Sequence, residues 1–423
     1  MHKDRLSFWA LSALLFPCRF LSHSMLHTLG RGLGNLLFYL MPRYRKRALS
    51  NLSLATSLHL SNQEKKKIAK QSLQNLAITC LEYPKLAYSK HLDQVIRCEN
   101  PELAYHLIAN GQGIIFFCGH QSNWEVLFLD GTQHMPGVAI GRPIKNPVVY
   151  TWITAIRERF GGKMVSPREA LKEGLKALRQ GKFLGIVGDQ GMPESGFLSD
   201  FLGRRAWTSP APALLAYKTK SPIIVATTRR EKGSYSIHYS PPLWPDLTKP
   251  MEEEVPHLMQ KALKLFENSI LQSPGEWLWQ HNRWKQETPK NVYYRYRHDA
   301  ILVILPTSEE ISAIVDTFTA IYPMAFITYA LPKGIAYPST DRDVIVYDQP
   351  QDLLLPDYRY KLVFDFTNTP RIKKHFLRLS AFEVIAEKDI RKKAKLHTAH
   401  SVDYSLCELV KRALCRPNTL WKN

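Results

Sequence analysis

The run Ile114-Ile115-Phe116-Phe117-Cys118, bracketed by Gly113 and Gly119 and followed by His120-Gln121-Ser122-Asn123-Trp124-Glu125, constrains this chain more than any other stretch. Five consecutive apolar residues between glycines predict a buried strand. Ser122 and Asn123 offer caps for a helix that carries Trp124 to Leu129. His120 then falls in the tight turn between strand and helix. In a continuous helix His120 and Glu125 would be rotated by roughly 140° from each other, on different faces. They meet only if His120 lies just before the helix and Glu125 lies in its first turns. So placed, the carboxylate would hold the imidazole in one tautomer and offset its charge, and the histidine would take a proton from a substrate hydroxyl with no Ser or Cys nucleophile. A turn histidine that only satisfies backbone groups is the competing reading.

At 423 residues the chain has room for two or three domains. A formal net charge of +20 asks for an anionic partner: nucleic acid, an acidic membrane surface or a phosphorylated substrate. The cysteines at 18, 80, 98, 118, 407 and 415 show no metal-ligand spacing, which argues against a zinc site or a disulfide framework and suits a reducing compartment.

Leu6 to Leu21 is an apolar run broken by Arg19 and containing Pro17. It is shorter than the ~20 residues of a spanning helix and lacks an A-x-A cleavage site, so residues 1–22 are expected to anchor the chain in or on a membrane. A buried amphipathic helix is the alternative. A second apolar helix from Gly30 ends at Pro42, and Arg43, Arg45, Lys46 and Arg47 follow. A basic cluster beside apolar helices predicts attraction to anionic headgroups. Ser61 with Glu64 predicts a capping box that opens a helix reaching about Tyr83. Further along, strands are expected at Val138–Ile140, Phe183–Val187 and Ile223–Thr227. Helices are expected over Asn146–Phe160, Ala170–Gln180, Ala211–Thr219 and Glu252–Leu271. Asp189 and Gln190 stand at a strand's carboxyl end, a position that suits a ligand site. Arg142 in its loop, and Arg159, are plausible phosphate clamps or plain surface charges.

Lys285 to Asp299 is basic and aromatic with an internal Pro289, and residues 289–299 are taken as a linker. From residue 300 to 423 short apolar runs alternate with helical patterns, which predicts a small, separate, mostly parallel α/β domain.

With these blocks in order, the chain resembles the late acyltransferases of lipid A biosynthesis, the lauroyl/myristoyl transferases of Gram-negative bacteria. His120-Gln121-Ser122-Asn123-Trp124-Glu125 is similar to that family's His-x4-acid motif. Arg142 with Asn146 and Arg159 with Gly161 are similar to its second block. Asp189-Gln190, Phe201-Leu202-Gly203 and Thr208 are similar to its third, and Trp279, His281, Arg283 and Lys285 to its C-terminal signature. The resemblance covers about residues 8–288. It implies an acyltransferase domain over 23–288 with a glycerolipid-acyltransferase-like mixed sheet flanked by helices, bound to the cytoplasmic face of the inner membrane. The implied reaction moves a fatty acyl group from acyl carrier protein to a hydroxyl of a 3-hydroxyacyl chain on a Kdo-bearing lipid A precursor. His120 and Glu125 would form the catalytic pair. Arg142, Asn146, Arg159, Asp189 and Gln190 would bind or support substrate, with no metal and no bound cofactor. About 130 residues beyond Lys285 depart from the family pattern. Leu362–Asp365 and the basic helix after it faintly resemble half of a heptosyltransferase-like domain, and a docking or structural appendage is the favoured reading.

Two rivals stay open. A lysophospholipid or glycerol-phosphate acyltransferase uses the same His-x4-acid device. A non-enzymatic basic protein bound to membrane or nucleic acid would explain the charge but not the conjunction of motifs; no nucleic-acid partner is expected. Because every matching block precedes the linker, a chain ending near Asn291 is expected to fold and act alone.

Overall fold

The computed structural model describes residues 2–89, 91–287, 299–335, 343–395 and 404–415. In chain order the elements are α1 (His2–Leu15), α2 (His23–Leu40), α3 (Pro42–Leu54), α4 (Asn62–Tyr88), β1 (Ile96–Cys98), α5 (Glu102–Ala109), β2 (Ile114–Cys118), α6 (Glu125–His134), β3 (Gly137–Ile140), α7 (Pro147–Arg157), β4 (Lys163–Val165), α8 (Ala170–Arg179), β5 (Phe183–Val187), β6 (Phe197–Phe201), β7 (Arg204–Thr208), α9 (Ala211–Thr219), β8 (Ile223–Arg230), β9 (Tyr235–Tyr239) and α10 (Met251–Gln272). There follow β10 (Ala300–Ile304), α11 (Ile311–Ile321), β11 (Phe326–Pro332), β12 (Asp343–Tyr347), β13 (Leu362–Asp365), α12 (Pro370–Arg378), β14 (Glu383–Ala386), α13 (Glu387–Lys395) and α14 (Leu406–Leu414). Two compact units form: Met1–Met41 with Lys66–His281, and Pro42–Lys65 with Asn282–Asn423. The linker expected over 289–299 lies, except for Asp299, outside the described residues.

The first unit is built on a seven-stranded sheet in the order β1-β9-β8-β2-β5-β3-β4, parallel throughout except where β8 meets β9. The mixed α/β class follows the sequence expectation. β2, the all-apolar run, is buried along its whole length and sits between β8 and β5, as a strand with no polar face must. Short pieces escaped the pattern reading: β1, α5, β4 and the β6–β7 hairpin are too brief or too mixed in polarity to show a period.

Ser61 and Glu64 make the expected capping box, the Ser61 N–H donating to Glu64 at 2.8 Å and the Glu64 N–H to the Ser61 hydroxyl at 3.3 Å. The helix it opens, α4, runs five residues beyond the expected end. Across it lies α2, and here Gly30 and Gly34 are required. A Cβ at Gly34 would meet the backbone of Gln74 at 2.3 Å, and one at Gly30 would meet Ile78 at 2.4 Å. The two helices therefore touch backbone to backbone.

At the N-terminus, no helix among the described residues is long and apolar enough to cross a membrane. α1 is 14 residues long and gives way to a 3₁₀ turn at Phe16–Arg19 that contains Pro17. Both proline's missing N–H and its ring end a helix there. What α1 and α2 do show is exposed apolar side chains: Leu6, Trp9 and Leu14 on the first, and Met25, Leu29, Leu33, Leu36 and Leu40 at helical spacing on the second.

In the second unit five strands run parallel in the order β12-β11-β10-β13-β14. The chain starts in the middle and winds outward both ways, as in doubly wound sheets. This unit also contains α3. Lys46 donates to the Ala381 carbonyl at 2.8 Å, Ser50 to the Arg359 carbonyl at 2.7 Å, and Asn51 accepts from Lys361 at 3.3 Å. Each partner lies just ahead of a strand, so α3 covers the amino end of the sheet. Lys361 is fully buried, its ammonium satisfied by Asp299 at 2.7 Å and Asn282 at 2.5 Å besides Asn51. Breaking one side of such a pair typically costs about 3–5 kcal/mol. Lys46 and Arg47, grouped from sequence with a lipid-facing cluster, are partly buried, Arg47 over the Phe382 ring.

The independence expected for residues 1–291 therefore loses its physical basis. A chain ending at Asn291 would strip the sheet from α3 and leave Lys46, Ser50 and Asn51 without their partners at Ala381, Arg359 and Lys361. Thermal unfolding of the truncated chain should show a lower midpoint or aggregation, not the behaviour of the full chain.

Candidate active site

β2 and β5 are neighbours in parallel register, with Cys118 opposite Val187. Two residues beyond each of these positions stand His120 and Asp189. The register thus delivers both to the carboxyl edge of the sheet, where open α/β folds place their chemistry. His120 Nδ1 lies 2.7 Å from Asp189 Oδ1, and the His120 backbone N–H donates to Asp189 Oδ2, also at 2.7 Å. The Trp277 indole N–H donates to Oδ2 at 2.8 Å. Burial alone would push the Asp189 carboxyl up. The charge and hydrogen bond of His120, the charge of His281 and the Trp277 bond outweigh it and hold the group well below the usual carboxylate range. A fixed anion on Nδ1 leaves Nε2 as the basic nitrogen. Nε2 makes no protein hydrogen bond among the described residues, and the His120 side chain keeps 15% of its surface open.

The imidazole is held from both sides. The His281 ring stacks on it at 4.5 Å between centroids, and Trp124 meets it edge-on at 4.8 Å. Leu278 donates to the His120 carbonyl at 2.9 Å, and Gln121 bridges to Trp277. The Trp277–His281 segment so closes over the turn.

Glu125 does not orient His120, and the expected pairing is corrected here. As the first residue of α6 it lies in the turn of helix the sequence predicted, but its carboxylate is taken by Arg157 of α7. Nε reaches Oε2 at 2.7 Å and Nη2 reaches Oε1 at 2.6 Å, while the Tyr83 hydroxyl donates to Oε1 at 2.7 Å. Burial would raise the Glu125 pKa; the charge and fork of Arg157, then Tyr83 and Trp124, lower it instead. Bidentate geometry of this kind fixes an arginine firmly. Arg157 was visible in sequence only as one basic residue among several, and α7 at helical spacing gave no reason to prefer it.

The remaining expected residues scatter. Asn146 caps α7, accepting from Val148 and Val149 at 2.9 and 3.2 Å, and donates to Asp4 and Ser7 of α1. Arg159 clamps the carbonyls of Leu86 and Ser89 at the end of α4. Arg142 is exposed with no ion pair among the described residues, and Gln190 is half-buried next to Asp189. None of these four hydrogen-bonds His120.

A polar stripe on α4 braces the turn from below. Ser72 donates to the Trp277 carbonyl at 2.5 Å, Asn75 to those of Ser122 and Glu276 at 2.9 Å each, and Thr79 to Ser122 at 3.2 Å. Glu82 accepts from Asn123 at 2.8 Å. These positions repeat every three or four residues, one helix face. They pin Ser122 at φ +53°, a left-handed conformation uncommon outside glycine. Beneath the turn, burial pushes the Cys118 thiol well up, with Asp189 and Glu125 adding to it, so no thiolate competes with an external nucleophile.

The arrangement is an imidazole oriented by a carboxylate at the carboxyl edge of an α/β sheet, with no Ser or Cys side chain hydrogen-bonded to it among the described residues. Residues 1–286 match the family described as bacterial lipid A biosynthesis acyltransferase. The chain is 25% identical over 283 residues to the lipid A biosynthesis lauroyltransferase of Escherichia coli K12, covering 65% of this chain and 90% of that one. It is 26% identical over 247 residues to a lipid A biosynthesis acyltransferase of Haemophilus influenzae, covering 56% of this chain and 74% of the relative. The protein belongs to the bacterial lipid A biosynthesis acyltransferase family, and its reaction class is acyl transfer in lipid A assembly.

Asp189→Asn should reduce turnover by at least ~100-fold, since it removes the anion that fixes the base. Its stability defect should also depend on pH. A carboxyl held low in the folded state stabilises above its ordinary pKa of about 3.9, and that contribution fades as pH falls toward the folded value. The gap in unfolding free energy between wild type and Asp189→Asn should therefore narrow below about pH 4, as denaturant titration across pH would show.

Proposed function

We propose that the protein transfers a fatty acyl group from acyl carrier protein to a hydroxyl of a 3-hydroxyacyl chain on a Kdo-bearing lipid A precursor, at the cytoplasmic face of the inner membrane. The observation that carries this reading is the Asp189–His120 pair with Nε2 turned outward. Nε2 takes the hydroxyl proton as the oxygen attacks the thioester carbonyl. The tetrahedral oxyanion collapses, the C–S bond breaks, and the imidazolium returns its proton to the departing thiolate. Asp189 offsets the imidazolium charge throughout. Donor and acceptor supply every atom, so the reaction needs no cofactor.

Glu125 serves this chemistry by holding Arg157, in place of the orienting role expected from the motif. Arg157 spends Nε and Nη2 on Glu125, and burial is outweighed by that carboxylate, so its charge is permanent. A fixed cation of this type suits a phosphate of the acceptor or the developing oxyanion. Exposed Arg142 and half-buried Gln190 are candidates for looser substrate contacts.

Membrane residence is supported by the outward apolar faces of α1 and α2, which suit helices lying in the interface better than a spanning segment. The overall charge of +20 adds attraction to anionic headgroups.

His120→Ala in purified protein should lower turnover at least ~100-fold. The wild-type protein should acylate a Kdo-bearing lipid A precursor and leave lysophosphatidic acid and glycerol 3-phosphate untouched when all are offered with acyl carrier protein thioester. Preference for the glycerol acceptors would replace this reading with the glycerolipid one. Leu29→Glu with Leu33→Glu should weaken binding to anionic vesicles in high salt, as flotation would measure.

A further inference from the structure

Away from His120 and Asp189, a buried polar cluster in the first unit surrounds Glu82 on α4. Its Oε1 lies 2.9 Å from His23 Nδ1 and 3.0 Å from His27 Nε2, both on α2. Its Oε2 accepts from Asn123 at 2.8 Å and from the Tyr235 hydroxyl. All five side chains are buried, Glu82 and Asn123 completely. Two histidines and a carboxylate this close invite a metal reading. The donors argue otherwise. Arg230 adds positive charge beside Glu82, and Oε1 and Oε2 together already accept four hydrogen bonds. Burial alone would raise the Glu82 pKa, but the His23 and His27 bonds, Arg230 and Tyr235 keep it far below the usual range. The group is a fixed anion that gathers donors.

Three of those donors, His23, His27 and Tyr235, secure Glu82 within the fold. The fourth, Asn123, leads to the active site. Asn123 belongs to the turn between His120 and Glu125, and its Oδ1 accepts the Glu125 backbone N–H at 3.2 Å. One amide thus joins Glu82 to the first residue of α6, whose side chain holds Arg157. The neighbouring Ser122, at φ +53°, is anchored by its backbone, the carbonyl accepting from Asn75 and Thr79 and the N–H donating to the Glu276 carbonyl at 2.8 Å. Among the described residues, Asn123 links the turn to α4 through its side chain.

We propose that Glu82 is a positioning residue for acyl transfer: acting through Asn123, it sets where the turn presents His120 and where Glu125 holds Arg157. The proposal rests on the acyl-transfer reading above. Glu82 touches no reacting atom, so its loss should misplace the groups that act in the transition state and spare those that only bind substrate.

The test is steady-state kinetics on the full chain in lipid vesicles, with lipid A precursor and acyl carrier protein thioester, beside thermal unfolding of each variant. Glu82→Gln should lower kcat by at least ~10-fold with KM within about threefold. Asn123→Ala, which leaves the Glu82 cluster otherwise intact, should do the same, and the double variant should be no worse than either. Tyr235→Phe removes a donor that does not lead to the turn. It should lower the unfolding midpoint yet keep kcat within about twofold. Should Glu82→Gln fail to fold, Asn123→Ala against Tyr235→Phe decides. Wild-type kcat in a folded Asn123→Ala, or losses of kcat that merely follow the loss of stability across all variants, would overturn the proposal. An inactive wild-type enzyme toward lipid A precursors would overturn the functional reading on which it stands.

Discussion

A turn that is neither helix nor strand has no ladder to satisfy its backbone, and this one is buried. Gln121, Ser122 and Asn123 expose almost nothing. Buried polar groups without partners are costly, so the fold must bring hydrogen-bond partners to them from elsewhere. It does so with one face of α4, whose Ser72, Asn75, Thr79 and Glu82 reach the turn and the Trp277 segment stacked on it. The position of α4 is in turn set by α2, which can approach closely enough only because Gly30 and Gly34 carry no side chain. The site's geometry thus depends on a helix crossing that takes no part in chemistry.

Two buried carboxylates share the work at the centre of the first unit, and their partners separate their roles. Asp189 faces an imidazole and fixes its orientation through the Nδ1 hydrogen bond. Glu125 faces a guanidinium that never gives up its proton, so that pair is a fixed bracket. Exchanging the partners would leave His120 without its orienting anion. The neighbouring Cys118 stays inert because burial and both carboxylates oppose its ionisation.

The second unit obeys a different economy. Its parallel sheet has an apolar centre in β10 and β13, and its amino end is closed by α3, which comes from far earlier in the chain. Lys361 is tolerated in that interior because three oxygens surround its ammonium. Such a buried charge ties the packing of α3 to this sheet with a specificity that apolar contacts alone lack. Residues 42–65 and 282–423 are therefore one folding body despite the distance between them in sequence.

Periodicity and local chemistry carried much of the architecture. The apolar run of β2, the capping box of α4 and the alternation after residue 300 each declared an element, because those signals reside in neighbouring residues. The motif around His120 and the Asp189 position were also legible, and so was the family. What the linear chain could not contain was pairing. That Asp189, not Glu125, holds His120 follows from the register of β2 against β5, and that Glu125 belongs to Arg157 follows from where α7 docks. That Asn146 and Arg159 are spent on a helix cap and on carbonyls at the end of α4 depends on the same docking. The membership of α3 in the second unit is likewise a matter of packing. Hydrogen bonds between residues 32 to 335 positions apart are decided only when sheets choose their order and helices their crossings, and the side chains of the candidate site meet by that choice.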